Sequence, residues 1–157
     1  MKWRRYRTMV LFLILTLLTT AFIFTNSMKT GPQSLAQSNV VLEWIAAIID
    51  PHNKIPFETM NFFVRKAAHM AEFALLGFCL GGLSGAITDL RGKNTPFLPP
   101  FLSLLVAVCD EFIQSFTGRT SQVRDVLIDF SGALLGLLLI WIIRTVCKKR
   151  AGAAGRN

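Results

Sequence analysis

The sequence predicts an all-α membrane protein: a four-transmembrane-helix bundle with a short interfacial helix in its first outer loop. Three observations predict it. Of the 157 residues, 52% are hydrophobic and the mean hydropathy is +0.48, too apolar for a soluble domain of ordinary proportions. Four apolar stretches, at about residues 8–24, 67–87, 97–116 and 126–146, each approach the ~20 residues needed to cross ~30 Å of hydrocarbon. The ionisable residues inside those stretches gather towards one end of them. Little is left over, so residues 1–157 read as a single transmembrane domain.

The first stretch follows Lys2, Arg4, Arg5 and Arg7 and begins like a signal peptide. Its apolar run continues to Phe24 with no Ala-x-Ala cleavage site, so it reads as a retained helix. Thr25 to Ser38 has loop composition, rich in Ser, Thr, Asn, Gln, Gly and Pro. Asn39 to Asp50 then reads as a short helix, capped by Asn39 and stopped by Pro51. Twelve residues are too few to span, and a helix lying in the outer interface with Trp44 at headgroup depth suits the segment; a helix packed over the bundle mouth is the alternative. Pro56 is placed to start the second long helix. Gly77, Gly81 and Gly85 follow at four-residue spacing and allow another helix to approach closely. Asp89 to Pro96 forms the next turn, and Pro99 and Pro100 sit in the first turn of the third helix, where missing amide donors do least harm. The fourth helix carries Asp125, Asp129, Gly132 and Gly136 on one face, so the face built for close packing is also the acidic one.

The net charge of +8 follows topology. With four spans both termini share a side, and that side carries 11 bases and one acid, Asp89, against 6 bases and 8 acids at the other end. The positive-inside rule makes the basic side cytoplasmic. The expected arrangement is therefore a membrane crossed several times, with both termini cytoplasmic and anionic lipids touching the cytoplasmic face. Bases arranged this way are not a nucleic-acid footprint. Cys79, Cys109 and Cys147 form no Cys-x-x-Cys pair, so neither a disulfide framework nor a zinc site is indicated by them.

Charge inside an apolar span costs several kcal/mol unless it is paired or faces a polar cavity. At 100° per residue Arg65, His69, Glu72 and Leu76 share one helix face, with Lys66 beside them. The third helix ends with Asp110, Glu111 and Gln114 before the turn Thr117-Gly118-Arg119-Thr120-Ser121, and the fourth opens with Arg124, Asp125 and Asp129. All of these lie within two or three turns of one membrane surface, whichever way the chain is oriented. So many acids in low dielectric need partners, and Glu72 or Asp110 is expected to pair with a rim arginine, Arg119 or Arg124.

Three groups of residues, Arg65-Lys66-x-x-His69-x-x-Glu72-Phe73, Asp110-Glu111-x-x-Gln114 with Gly118-Arg119, and Arg124-Asp125-x-x-x-Asp129-x-x-Gly132, together make the chain resemble the VanZ-like membrane proteins over about residues 10–145. Asp129 stands where members of that family commonly carry Asn. The resemblance implies a bacterial protein associated with low-level resistance to the lipoglycopeptide teicoplanin.

The residues leave three chemistries open. The first is binding or processing of the head group of a membrane lipid or lipid-anchored amphiphile: Arg65, Lys66, Arg119 and Arg124 suit anions, Gln114, Asp125 and Asp129 complete the lining, and His69, Glu72, Asp110 and Glu111 are the candidates for acid-base work. The second is a divalent-metal-dependent enzyme using His69, Glu72, Asp110, Glu111 and Asp125, although no cofactor is required by the first reading and the arginines oppose a cation. The third is a non-catalytic membrane protein whose charged cluster is structural.

Overall fold

The structure, a computed structural model, describes residues 2–50, 54–119 and 121–154. Pro51 and Thr120, which the sequence reading places in a helix stop and a turn, lie outside the described residues. Among those residues the backbone forms five helices: α1 (Lys2–Ser27), α2 (Gly31–Ile49), α3 (Phe57–Arg91), α4 (Leu98–Ser115) and α5 (Val123–Ala154). α1, α3, α4 and α5 are long and apolar enough to cross a membrane.

Several helices overrun the apolar windows. α3 has 35 residues, about 50 Å of helix, so its polar first turns stand beyond one hydrocarbon thickness. Pro56 is its N-cap, and Gly92 ends it in the left-handed conformation at φ 70°, with the Gly92 amide donating to the Thr88 carbonyl. Pro99 and Pro100 occupy the start of α4 as expected.

α2 corrects the sequence reading. It runs for 19 residues from Gly31, with Thr30 as its N-cap, and so starts eight positions before Asn39, where the helix was expected to begin. Pro32 lies in its first turn, and Gln33 Oε1 accepts a hydrogen bond from the Thr30 amide at 3.1 Å, so Asn39 lies inside the helix and caps nothing. Length alone therefore does not set α2 apart from the four candidate spans; the polar composition of Gly31 to Asn39 does. α2 rests on α3, with Leu42 buried, Trp44 turned outward and the Ser38 hydroxyl donating to Asn61 Oδ1 at 3.0 Å.

The most extensive packing joins α3 to α5, with α1 next against α3. A Cβ on Gly132 would collide with the Met70 carbonyl, one on Gly136 with the Ala74 carbonyl, and one on Gly77 with the Ala133 carbonyl. These glycines bring two helix backbones into contact. Phe73, Leu76, Ile23, Ala107 and Ala133 fill the space between α1, α3, α4 and α5. Leu134, Leu135, Leu138, Leu139 and Trp141 of α5 face outward, as a helix solvated by lipid requires.

The antiparallel course brings the C-terminal ends of α1 and α4 together with the N-terminal parts of α3 and α5. At the opposite end Asp89 gathers three helices: Arg144 Nη2 donates to its Oδ2 at 2.6 Å, Lys148 Nζ to its Oδ1 at 3.1 Å, and Arg5 Nη1 to its carbonyl at 2.8 Å.

Candidate functional site

Each helix supplies the site through an ordinary packing stripe that turns polar at one end. In α4 the buried residues are Pro99, Ser103, Ala107, Asp110, Glu111 and Gln114, spaced at helical intervals, so the acids continue the face that carries the small core residues. In α5 the same holds for Asp129, Gly132, Ala133, Gly136 and Ile140. In α1 the buried series Thr16, Thr19, Ile23, Ser27 ends at the site. Gly118, at φ 71°, turns the chain after α4 so that Arg119 comes back over the bundle end.

These elements enclose a cavity of about 340 Å³ whose lining includes Arg65, Lys66, His69, Glu111, Gln114, Arg119, Arg124, Asp125 and Asp129. A second cavity of about 140 Å³ lies on the other side of Arg65, His69 and Arg119, which line both, and contains Asn26 and Glu72 in its wall. Ten of the eleven residues expected at the site thus line one cavity or the other. The eleventh, Asp110, is wholly buried behind them.

The acids are held mostly by short neutral donors. The Ser27 hydroxyl bonds Asp110 Oδ1, and Gln114 Nε2 donates to Asp110 Oδ2 at 2.6 Å. Asn26 Nδ2 donates to Glu72 Oε1 at 3.0 Å, and Lys29 Nζ to Asn26 Oδ1 at 2.8 Å. The Gln122 amide donates to Glu111 Oε2 at 3.1 Å. Lys66 Nζ stands 2.6 Å from Asp125 Oδ1.

The expected pairing of Glu72 or Asp110 with Arg119 or Arg124 is therefore corrected. Among the described residues neither acid forms an ion pair with an arginine. Arg119 Nη2 instead lies 3.4 Å from His69 Nε2, and the Arg124 guanidinium stands 5.6 Å from the centre of the Phe62 ring, as does Lys66 Nζ. The reason is reach. Asp110 and Glu72 point towards the end of α1, whose Ser27 and Asn26 are closer than any arginine on the rim. Burial, and then the charge of Arg65, lower the Arg119 pKa from its ordinary value.

Sequence reasoning misses Asn26 and Ser27 because they fall in a stretch of loop composition. The signal that finds them is the helical spacing of Thr16, Thr19, Ile23 and Ser27, a polar-lined stripe that continues past the apolar run. His69, Asp110 and Asp129 are the described residues whose ligand atoms come within 4.8 Å of one another. Glu72 and Asp125, which the sequence also offers as metal ligands, are turned to Asn26 and Lys66.

A family model described as VanZ/LLP1 matches residues 12–144. The chain belongs to the VanZ/LLP1 family. The match covers α3 and α4 whole, α1 from residue 12 and α5 up to residue 144, together with every residue of the site. No curated protein and no solved structure matches this VanZ/LLP1 chain. Family membership thus agrees with the fold and leaves the site's chemistry to be argued from its geometry.

Proposed function

We propose that this VanZ/LLP1 protein sits in a bacterial plasma membrane with both termini in the cytoplasm, and that its polar site faces the outer leaflet and takes the head group of an amphiphile. One observation carries the reading. The polar cavity adjoins an apolar groove on the outward side of α3 and α5, the two sharing Phe62, Lys66, Arg124 and Ile128. The groove continues along Phe63, Met70, Ala71 and Leu135, all open to the surroundings. A head held among bases, with its tail leaving directly into hydrocarbon, matches that sequence of surfaces.

On this reading Arg65, Lys66, Arg119 and Arg124 hold the acidic part of the head, because guanidinium forks match phosphate and carboxylate oxygens. Gln114, Asp125 and Asp129 shape the cavity around it. His69, Glu72 and Glu111 line the two cavities and are the groups in reach for proton transfer, with Asp110 buried behind them. The resemblance to VanZ-like proteins gives the amphiphile a context: low-level tolerance of an acylated glycopeptide such as teicoplanin, or upkeep of an envelope lipid.

The test is expression of the parent and of the conservative variants Glu72→Gln and Arg119→Lys in a susceptible bacterium. The parent should raise the teicoplanin concentration needed to stop growth, and both variants should lose that effect at equal protein level in the membrane. Variants that protect as well as the parent would show that the cluster only holds the helices together.

A further inference from the structure

We infer that His69, Asp110 and Asp129 form a site for one divalent cation, which also sets Arg119 free to meet an anion. The three side chains come from α3, α4 and α5, and one ligand atom of each lies within 4.8 Å of the others. Two buried polar atoms of this group have no partner among the described residues. Asp129 is 2% exposed, and its Oδ2 accepts no hydrogen bond; His69 Nδ1 is buried and likewise unpartnered. A polar atom in that condition carries an uncompensated desolvation cost, and a carboxylate a larger one.

The geometry fits an ion better than a direct bond. His69 Nδ1 and Asp129 Oδ1 face each other at 3.9 Å, too far for a hydrogen bond and within the ~4.2 Å that two ligands each ~2.1 Å from one metal can span, so a small closing movement brings both onto an ion. Asp110 completes the set from behind. Its two oxygens are anchored by Ser27 and Gln114, each with lone-pair capacity to spare, in the manner of outer groups that orient a metal-binding carboxylate. Two aspartates with a neutral imidazole neutralise a divalent ion. One nitrogen and two oxygens favour Zn²⁺ or Mn²⁺ over Mg²⁺ and Ca²⁺, with a further position left towards the cavity that Asp129 and His69 line.

Arg119 is coupled to the ion through the imidazole. With Arg119 Nη2 at 3.4 Å from His69 Nε2, that nitrogen must act as acceptor, which places the ring proton on Nδ1. A metal on Nδ1 moves the proton to Nε2, where it meets the guanidinium donor head-on. Arg119 then has to leave His69, and it already lines both cavities. The ion site stands whether or not an amphiphile head occupies the cavity; only the role of the released Arg119 rests on the head-group reading.

The test uses full-length protein purified in detergent, stripped with EDTA and titrated with Zn²⁺ and Mn²⁺. One equivalent should bind, with a rise of several degrees in the thermal midpoint. Asp129→Asn and His69→Gln should each lose at least tenfold in affinity, and Asp125→Asn should keep it. The sequence holds two histidines, His52 and His69, so His52→Gln protein labelled with ¹⁵N-histidine carries a single imidazole. Its Nδ1 resonance should shift on adding Zn²⁺, which decides the matter even if the other variants fail to fold. No binding by the parent, equal binding by Asp129→Asn, or an unmoved Nδ1 resonance would each overturn the inference. Loss of teicoplanin tolerance plays no part in these readouts, so the head-group reading stands or falls separately.

Discussion

Lys66 Nζ stands 2.6 Å from Asp125 Oδ1, joining α3 to the first turn of α5 at the mouth of the cavity. Both side chains are partly shielded, at 24% and 14% exposure, which lifts the pair above an ordinary surface contact but leaves it in reach of water. Removing one partner strands the other near the membrane. Lys66→Met and Asp125→Asn are therefore each expected to cost about 1–2 kcal/mol, with a coupling of about 1 kcal/mol between them. A double-mutant cycle on unfolding in detergent measures it; additive effects would show that the two charges do not sense each other.

The glycines of the α3–α5 contact should separate into two classes. A Cβ on Gly136 meets the backbone of Ala74 and Phe78, which has nowhere to go. One on Gly81 meets the ends of the Ile140 and Leu137 side chains, which can turn aside. Gly136→Ala is expected to cost about 2 kcal/mol or more, and Gly81→Ala under about 1 kcal/mol. Folded protein recovered from membranes, followed by thermal midpoints, gives the comparison. Equal losses would mean that the helices approach less closely than the backbone contacts indicate.

These two cases also mark how far the sequence can be read. The α3–α5 contact is legible because small residues at four-residue spacing point one helix face at another, and Gly77, Gly132 and Gly136 do meet backbone. The gathering of His69, Glu72, Asp110, Glu111, Asp125 and Asp129 is legible because depth along a helix follows from residue count alone. Partner choice is not. Whether Asp110 meets Arg119 or Ser27 depends on where α1 ends and how far each side chain reaches, and both are properties of four helices at once. The start of α2 is hidden for a different reason: a Gly-Pro-Gln-Ser stretch reads as loop, although Pro32 and Gln33 are the residues that begin a helix after Thr30.

Orientation is open to a direct chemical test. One end of the bundle carries 11 of the 17 bases, which should hold it in the cytoplasm. With Cys79, Cys109 and Cys147 replaced by Ala, a cysteine at Ser34 should react with a membrane-impermeant thiol reagent in intact cells. A cysteine at Lys93, exposed in the turn after α3, should react only after permeabilisation. The reverse pattern would put the polar site at the cytoplasmic leaflet and remove the outer-leaflet amphiphile from consideration.

Asp89 separates charge that holds the bundle from charge that serves the site. It ties Arg144 and Lys148 of α5 to α3, and Arg144 Nη2 also donates to the Gly85 carbonyl at 2.8 Å. Asp89 and Arg144 are 32% and 24% exposed and Lys148 is 66% exposed, so water and salt weaken the cluster. Asp89→Ala should cost only about 0.5–1 kcal/mol in 0.1 M salt and less in 1 M salt, where the screening length falls from ~10 Å to ~3 Å. Under the proposed function, any teicoplanin tolerance that the parent confers should survive Asp89→Ala, because the cluster lies at the far end of α3 from His69 and Arg119. If Asp89→Ala abolished tolerance at normal protein level, the two ends of the bundle would be energetically linked, and the losses expected for Glu72→Gln and Arg119→Lys could no longer be assigned to the cavity they line.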